Sequence, residues 1–224
     1  MAKTAHLGRQ SLHYARQHGN PKQRSGQRGK AALSAARYYT FRSGEHRGER
    51  VWITPEGTFA SYDEVKGTLS ASARQSKHVT YGYLNPHPAL DISASEARDL
   101  LAQNLTYPEG HSRQGQPLLR DVHLIRHERN DSGQRNPHWH FVAFGDRVPN
   151  RSALRQLREG FTDLQQVKAK HLEVDIDGWH RDHPEYDAGL SVESKVSSML
   201  ADRDRGQVQE VGRQDQGLGL EHGR

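Results

Sequence analysis

Two apolar segments separated by a polar turn are the feature that most restricts the fold of this chain. Residues 121–127 and 138–144 each have the length and apolar character of a central strand. The turn between them is rich in Asn, Asp, Ser and Gly, which favour reversal of the chain. We therefore predict that the second segment folds back beside the first as a pair of central strands.

The remaining pattern adds helices and further strands to this pair. It predicts an Ala-rich helix over 30–43, a hairpin from 50–54 and 57–62, a strand over 79–83, a helix that begins at a capping box at 93–96, a helix over 152–170 and a weaker helix over 191–200. Residues 106–118 are predicted to form a polar loop. This order predicts an α+β fold, with a central, mostly antiparallel sheet and helices packed on one of its faces.

Charge is concentrated at the beginning of the chain. Residues 1–44 contain nine basic residues and no acidic one, so they carry +9, and the remainder carries 5 − 9 = −4. A block of one sign predicts an arm that binds a polyanion, most commonly nucleic acid, although a solvated tail without a partner has the same composition. The predicted DNA-binding residues are Lys22, Arg24, Arg28, Lys30, Arg37 and Arg42.

Composition sets the other limits. With 33% hydrophobic residues and a mean hydropathy of −0.97, part of the chain is expected to remain unpacked. We predict a basic, largely flexible arm over 1–28, a domain over 29–200 and a disordered tail over 201–224. The absence of cysteine excludes disulfides and thiolate metal sites. Without a membrane-length apolar run or signal-peptide pattern, we expect a soluble, cytoplasmic protein.

The two strands carry a group of histidines. His138 and His140 are two residues apart, so on a strand they share a face with Cα atoms roughly 6.6 Å apart. His127 ends the preceding strand and is placed to supply a third ligand, although His123 lies on the same face and is an alternative. Three imidazoles on a sheet leave coordination positions open, as in catalytic metal sites. The chain has 15 histidines, so a structural or incidental pair is a common alternative. The apolar strand around His138 and His140 favours a ligand role, because buried imidazoles need a bonding partner.

Two motifs carry a family resemblance. Residues 126–127 together with Asn136-Pro137-His138-Trp139-His140-Phe141 resemble the histidine motif of HUH relaxases, especially plasmid mobilisation proteins of the MobA/MobL type. Residues 29–38 and 42–45 resemble the Ala-rich helix that carries the catalytic tyrosine of that family. The family usually begins with a strand before this helix, for which 6–7 and 11–14 are the candidates here.

The resemblance implies a site- and strand-specific nuclease that nicks single-stranded DNA at an origin of transfer, with relaxosome accessory proteins as further partners. Tyr38 or Tyr39 would attack the scissile phosphate, with the gapless match favouring Tyr38. The histidines His127, His138 and His140 would hold Mg or Mn, although imidazoles also tolerate Zn, Ni and Co. Glu128 and Asn136 are the residues expected to contact the metal-ligating histidines and orient their rings.

Three other functions fit parts of the sequence. A rolling-circle replication initiator shares the metal chemistry, but its tyrosine helix follows the histidines, and Tyr186 is not followed by a lysine three places later. A non-catalytic plasmid accessory protein would explain the basic arm equally well. A histidine-dependent nucleotide hydrolase would need a third alternating histidine, where this chain has Val142.

Overall fold

The computed structural model of the chain describes residues 14–15, 25–42, 50–129 and 133–184. The chain divides into two compact units, Met1–Val174 and Asp175–Arg224. The predicted helix over 191–200, the predicted tail and most of the predicted arm lie outside the described residues. The predicted boundary between the arm and the domain, at residues 28 and 29, falls inside a helix that begins at Ser25.

The first unit is built on one sheet. Its strands are β1 (Tyr14–Ala15), β2 (Trp52–Ile53), β3 (Phe59–Ala60), β4 (His78–Leu84), β5 (Leu119–Arg129) and β6 (Arg135–Gly145). They lie in the order β1-β4-β6-β5-β2-β3, and neighbouring strands pair antiparallel. The two predicted central strands, β5 and β6, pair with each other in the middle, which confirms the predicted α+β class and its antiparallel sheet. The first strand, β1, begins at Tyr14, the last residue of the candidate segment 11–14, and the other candidate residues lie outside the described part of the chain.

Helices cover both faces of this sheet. They are α1 (Ser25–Phe41), α2 (Tyr62–Gln75), α3 (Ala94–Asn104) and α4 (Arg151–His171). Helices α1 and α2 share one core with residues such as Ile125 and Val142, and α3 and α4 share another with Leu124 and Phe141. The prediction of helices on one face was therefore wrong. Neighbouring residues of β5 and β6 are apolar on both sides, so each strand needs cover on each face.

The sequence prediction also omitted α2. Its N-terminus has a full capping box, in which Ser61 and Glu64 satisfy each other's backbone N–H groups. Val65, Leu69 and Ala73 follow at helical spacing and are buried. The predicted hairpin includes Ser61 and Tyr62, and no element is predicted over 63–75, although the helix signal is present there. That hairpin is real, with Trp52 opposite Ala60 and Gly57 in the left-handed region at φ 86°.

The described part of the second unit is a short helix, α5 (Ile176–Asp182), which the sequence prediction also omitted. Asp175 caps its N-terminus, and the ring of Trp179 stacks on His183 with centroids 4.3 Å apart. Across the ranges that the structure describes, none of the helices combines the length and apolar character required of a bilayer-spanning segment.

Candidate metal centre

The predicted histidines meet on the face of the sheet that α1 covers. His127 pairs directly with His138 across β5 and β6, and His140 lies opposite Ile125. The ring centroids are 5.2 Å apart for His127 and His138, 4.4 Å for His127 and His140, and 4.9 Å for His138 and His140. All three side chains are buried, and one ring nitrogen from each lies within 4.8 Å of the others. We refer to these residues as the histidine cluster.

The spacing of these nitrogens fits a single ion. Nε2 of His138 lies 3.2 Å from Nε2 of His140. Two nitrogens bound to one ion at ~2.1 Å, with coordination angles between about 90° and about 109°, are separated by about 3.0 to about 3.4 Å. The histidine cluster can therefore hold a metal ion. His123, the alternative ligand, is not part of the group among the residues the structure describes.

Hydrogen bonds fix two of the three rings. Nδ1 of His138 donates to the backbone carbonyl of Asn136 at 2.7 Å, which leaves Nε2 with its lone pair. Nε2 of His127 donates to the backbone carbonyl of Tyr39 at 2.8 Å, which leaves Nδ1 with its lone pair. Within the described part of the chain, Nδ1 of His140 has no hydrogen-bond partner. The cluster therefore presents lone pairs from rings that the backbone already orients.

Burial favours the neutral form of His127 and His140, which is the form that binds metals. Burial, followed by the positive charge of Arg50, lowers the pKa of His127 from 6.5 to about 3. Burial, followed by the neighbouring histidines, holds the pKa of His140 well below its usual value, and Arg42 and Arg50 act in the same direction. Positive charge near the cluster also favours an anionic ligand, such as a phosphate.

Helix α1 is held against this part of the sheet by polar contacts at its C-terminal end. Nε1 of Trp52 donates to Oγ1 of Thr40 at 3.0 Å, and both residues are fully buried. Nη1 of Arg50 donates to the carbonyls of Tyr39, Thr40 and Arg42 at 3.0 to 3.3 Å, which satisfies groups that a helix end leaves without partners. These contacts fix which side of α1 faces the histidines.

The two candidate tyrosines occupy different environments. The ring of Tyr39 is 6% exposed and stacks on His140, with centroids 4.1 Å apart and planes at 28°. Burial, together with the nearby hydroxyl of Tyr81, raises the pKa of Tyr39 above its usual value. The ring of Tyr38 is 57% exposed and makes an edge contact with Tyr39 at 5.8 Å. The structure thus places Tyr39, rather than Tyr38, in contact with the cluster.

We compared the chain with known proteins. No protein-family model, curated protein or solved structure matches it. Interpretation of the site therefore depends on its own geometry and on the motifs in its sequence. The rolling-circle alternative depends on Tyr186, which lies outside the described residues.

The predicted DNA-binding residues fall into three groups. Lys22 and Arg24 lie outside the described residues. Arg28 is 9% exposed, and its Nε donates to the carbonyl of Ala73 at 3.3 Å, so it links α1 to α2. Lys30 and Arg37 are exposed on α1, and Arg42 is partly exposed just after it.

The two residues predicted to support the ligands also differ in placement. Asn136 contacts His138 through its backbone carbonyl, while its side-chain oxygen is buried and has no hydrogen-bond partner among the described residues. The carboxylate of exposed Glu128 accepts a hydrogen bond from Arg126 at 2.5 Å. Alternation along the strand directs Arg126 away from His127, and its guanidinium lies over Trp139 on the other face. Glu128 is therefore not brought to the cluster.

Sequence reasoning missed two residues at the site. Tyr83 pairs with His140 across β4 and β6, and its ring lies 5.6 Å from that imidazole. The sequence predicts the strand over 79–83 that carries Tyr83, but the pairing of β4 with β6 has no local signal in the sequence. Arg50 was assigned to a strand, and its contacts with the end of α1 depend on how the helix packs.

Proposed function

We propose that this protein is a metal-dependent endonuclease and strand transferase that nicks single-stranded DNA through a tyrosine nucleophile. One observation carries the proposal, namely that a tyrosine from a neighbouring helix stacks on a cluster of three buried, converging imidazoles. The resemblance of both motifs to HUH relaxases adds the substrate, DNA at an origin of transfer.

The contact with His140 favours Tyr39 as the nucleophile, and Tyr38 is the second candidate. A nucleophile must reach the phosphorus that the metal site holds, and Tyr39 is the one of the two whose ring contacts a ligand residue. Sequence matching favoured Tyr38, so the geometry reverses that order. Tyr39 is buried, and the substrate would have to displace it from its stack on His140 for attack.

The reaction exchanges one phosphodiester bond for another. The phenol oxygen forms a bond to phosphorus while the bond to the 3′ oxygen breaks. The phenol proton passes to water, and the departing 3′ oxygen takes up a proton. A metal ion held by the histidines would polarise a phosphate oxygen and stabilise the developing charge. Because the tyrosyl ester resembles the bond that it replaces, the strand can be rejoined without external energy.

The surrounding positive charge suits this substrate. The positive charges of Arg42 and Arg50 act on the histidine cluster. Lys30 and Arg37 are exposed on helix α1. Arg28 is used inside the fold, so we assign DNA contacts to Lys30, Arg37 and Arg42 in the described part of the arm and helix. Contacts with phosphates would make binding depend on salt concentration.

The donor set guides the choice of metal. Imidazole nitrogens suit Mn, Co, Ni and Zn, whereas Mg prefers oxygen ligands. Of the two metals that the family resemblance implies, we therefore propose Mn over Mg for a site with three nitrogen ligands.

A denaturing gel tests the proposed function. The protein is mixed with Mn²⁺ and end-labelled single-stranded oligonucleotides that tile the DNA around its gene. We expect one oligonucleotide to be cleaved and its 5′-phosphate product to migrate as a covalent adduct with the protein. Cleavage that persists in the His138→Ala/His140→Ala double variant would contradict the proposal. DNA binding without cleavage or adduct would instead favour the non-catalytic accessory protein.

A further inference from the structure

Three partly exposed aromatic rings form a row beside the candidate metal centre. Tyr38 and Phe41 are three residues apart on α1 and are therefore neighbours on its surface. The ring of Phe41 meets that of Tyr62, the first residue of α2, with centroids 5.2 Å apart and planes at 81°. Tyr38 is 57% exposed and Phe41 is 39% exposed. A contiguous row of exposed rings is characteristic of a binding surface rather than of a folded core.

Cationic groups flank the row at both ends. The guanidinium carbon of Arg42 lies 5.9 Å from the centre of the Tyr38 ring, and Nζ of Lys66 lies 5.3 Å from that of Tyr62. Lys66 also pairs with Asp63 at 2.5 Å. A row of rings with a cation at each end matches a single strand of DNA, whose bases stack on aromatic faces while its phosphates attract positive charge. In a duplex, stacking between neighbouring base pairs covers those faces.

The row also leads to the histidine cluster. The ring of Tyr38 lies 5.8 Å from that of Tyr39, which in turn stacks on His140 at 4.1 Å. A strand that follows the row would therefore arrive with a phosphate near the metal ligands. We propose that Tyr38, Phe41 and Tyr62 form a stacking platform that binds the bases of single-stranded DNA next to the cleaved phosphate. This inference rests on the proposed function for the identity of the strand.

Binding measurements in EDTA test the platform without cleavage. Fluorescence anisotropy compares a labelled oligodeoxythymidine, an abasic strand of equal length with the same phosphates, and a duplex. We expect the wild-type protein to bind oligodeoxythymidine most tightly. Phe41→Leu and Tyr62→Leu, which keep apolar volume but remove the ring, should each weaken that binding by roughly fivefold or more. Neither should change binding of the abasic strand, which has no bases to stack.

Two further variants control for folding and for general loss of aromatic surface. Phe41→Tyr retains a ring and should therefore bind oligodeoxythymidine more tightly than Phe41→Leu does. Phe59, on β3, is 78% exposed, and its neighbour Ala60 packs in the core with α1 and α2. Alternation along the strand directs Phe59 to the opposite face, so Phe59→Leu should leave binding unchanged. Circular dichroism and thermal unfolding check that each variant is folded.

Several outcomes would overturn the platform. They are equal affinity of the wild type for oligodeoxythymidine and the abasic strand, unchanged affinity in both leucine variants, or an absence of binding to any single strand. Self-association that Phe41→Leu abolishes while DNA affinity is unchanged would assign the rings to a second copy of the chain. Because these measurements exclude metal, a failure of nicking with stacking intact rejects only the proposed function.

Discussion

The ring of Tyr39 stacks on the imidazole of His140, with centroids 4.1 Å apart and planes at 28°, whereas the ring of Tyr38 contacts that of Tyr39. A phenol in this position contacts the residues that would hold a metal ion. We therefore expect substitutions of the two tyrosines to have different effects, although the residues are adjacent in the sequence.

Tyr39→Phe is expected to abolish the covalent adduct, because it removes the attacking oxygen and leaves the stacked ring in place. Tyr38→Phe should form the adduct at no less than about a tenth of the wild-type rate, since a base-stacking ring is retained. The adduct is measured on a denaturing gel with labelled single-stranded DNA. Adduct formation by Tyr39→Phe together with its loss in Tyr38→Phe would return the nucleophile to the residue that the sequence match favoured.

Removal of a metal ligand should be visible without any DNA. At a Mn²⁺ concentration of about 100 times the dissociation constant, bound metal stabilises the fold by about 2.7 kcal/mol, or roughly 5–10 °C in midpoint temperature. His138→Ala and His140→Ala should each lose this increase. His111→Ala is the matched control, because His111 stacks on Tyr107 outside the histidine cluster. An undiminished increase in both ligand variants would mean that the metal binds elsewhere.

Arg28 and Arg37 lie on the same helix but have different expected effects. Arg37 is exposed, so Arg37→Met should weaken binding of single-stranded DNA and reduce the slope of log affinity against log salt by about 0.7. Arg28→Met should instead lower stability by about 1 to 3 kcal/mol, because it leaves the carbonyl of Ala73 without its donor. Anisotropy over a salt series and urea unfolding separate the two effects. Equal salt slopes for Arg37→Met and wild type would remove Arg37 from the DNA surface.

His123 predicts how stability depends on pH. It is fully buried, neither ring nitrogen has a hydrogen-bond partner among the described residues, and burial lowers its pKa from 6.5 to about 4. The unfolded chain therefore binds a proton between these values that the folded chain does not, so stability falls as pH decreases from above 6.5 to below 4. The expected contribution of His123 is about 3 kcal/mol over this window. The free energy of unfolding of the metal-free protein, measured in urea, should depend less steeply on pH in His123→Leu than in the wild type. Parallel curves for the two proteins would contradict this prediction.

Two glycine substitutions test the fold itself. Gly67 is exposed inside α2, and a Cβ there would meet nothing within 4 Å, so Gly67→Ala should stabilise the protein by about 1 kcal/mol. At Gly145 a Cβ would lie 2.3 Å from the carbonyl oxygen of Leu118, so Gly145→Ala should destabilise it, by about 1 to 3 kcal/mol. Thermal unfolding shows whether each substitution raises or lowers the stability of the protein. A stabilising effect at position 145 would mean that the end of β6 lies farther from Leu118.

The sequence was sufficient to predict the central strands and their histidines, because strand alternation fixes which side chains share a face. It was not sufficient to orient α1. Ala31, Ala35 and Tyr38 have the same spacing as Ala32, Ala36 and Tyr39, so either stripe could face the sheet. Burial of Ala32, Ala36 and Tyr39 decides between them, and it depends on partners far along the chain, such as Trp52.

For the same reason, local patterns in the sequence could not predict the order of the strands in the sheet or the second layer of helices. Strand β4 lies beside β6 although α3 and β5 separate them in the sequence, and that pairing brings Tyr83 to His140. In contrast, α2 carried a readable capping box at Ser61, so its omission was an error of interpretation rather than a lack of information.

The carbonyl oxygen of Tyr39 accepts hydrogen bonds from both His127 and Arg50. One peptide group thus joins a candidate metal ligand, a candidate nucleophile and the cation that caps α1. A displacement of this peptide group would change both hydrogen bonds together. Because the acceptor belongs to the backbone, both hydrogen bonds can form whichever side chain stands at position 39, so a redesign of the nucleophile can keep the imidazole geometry.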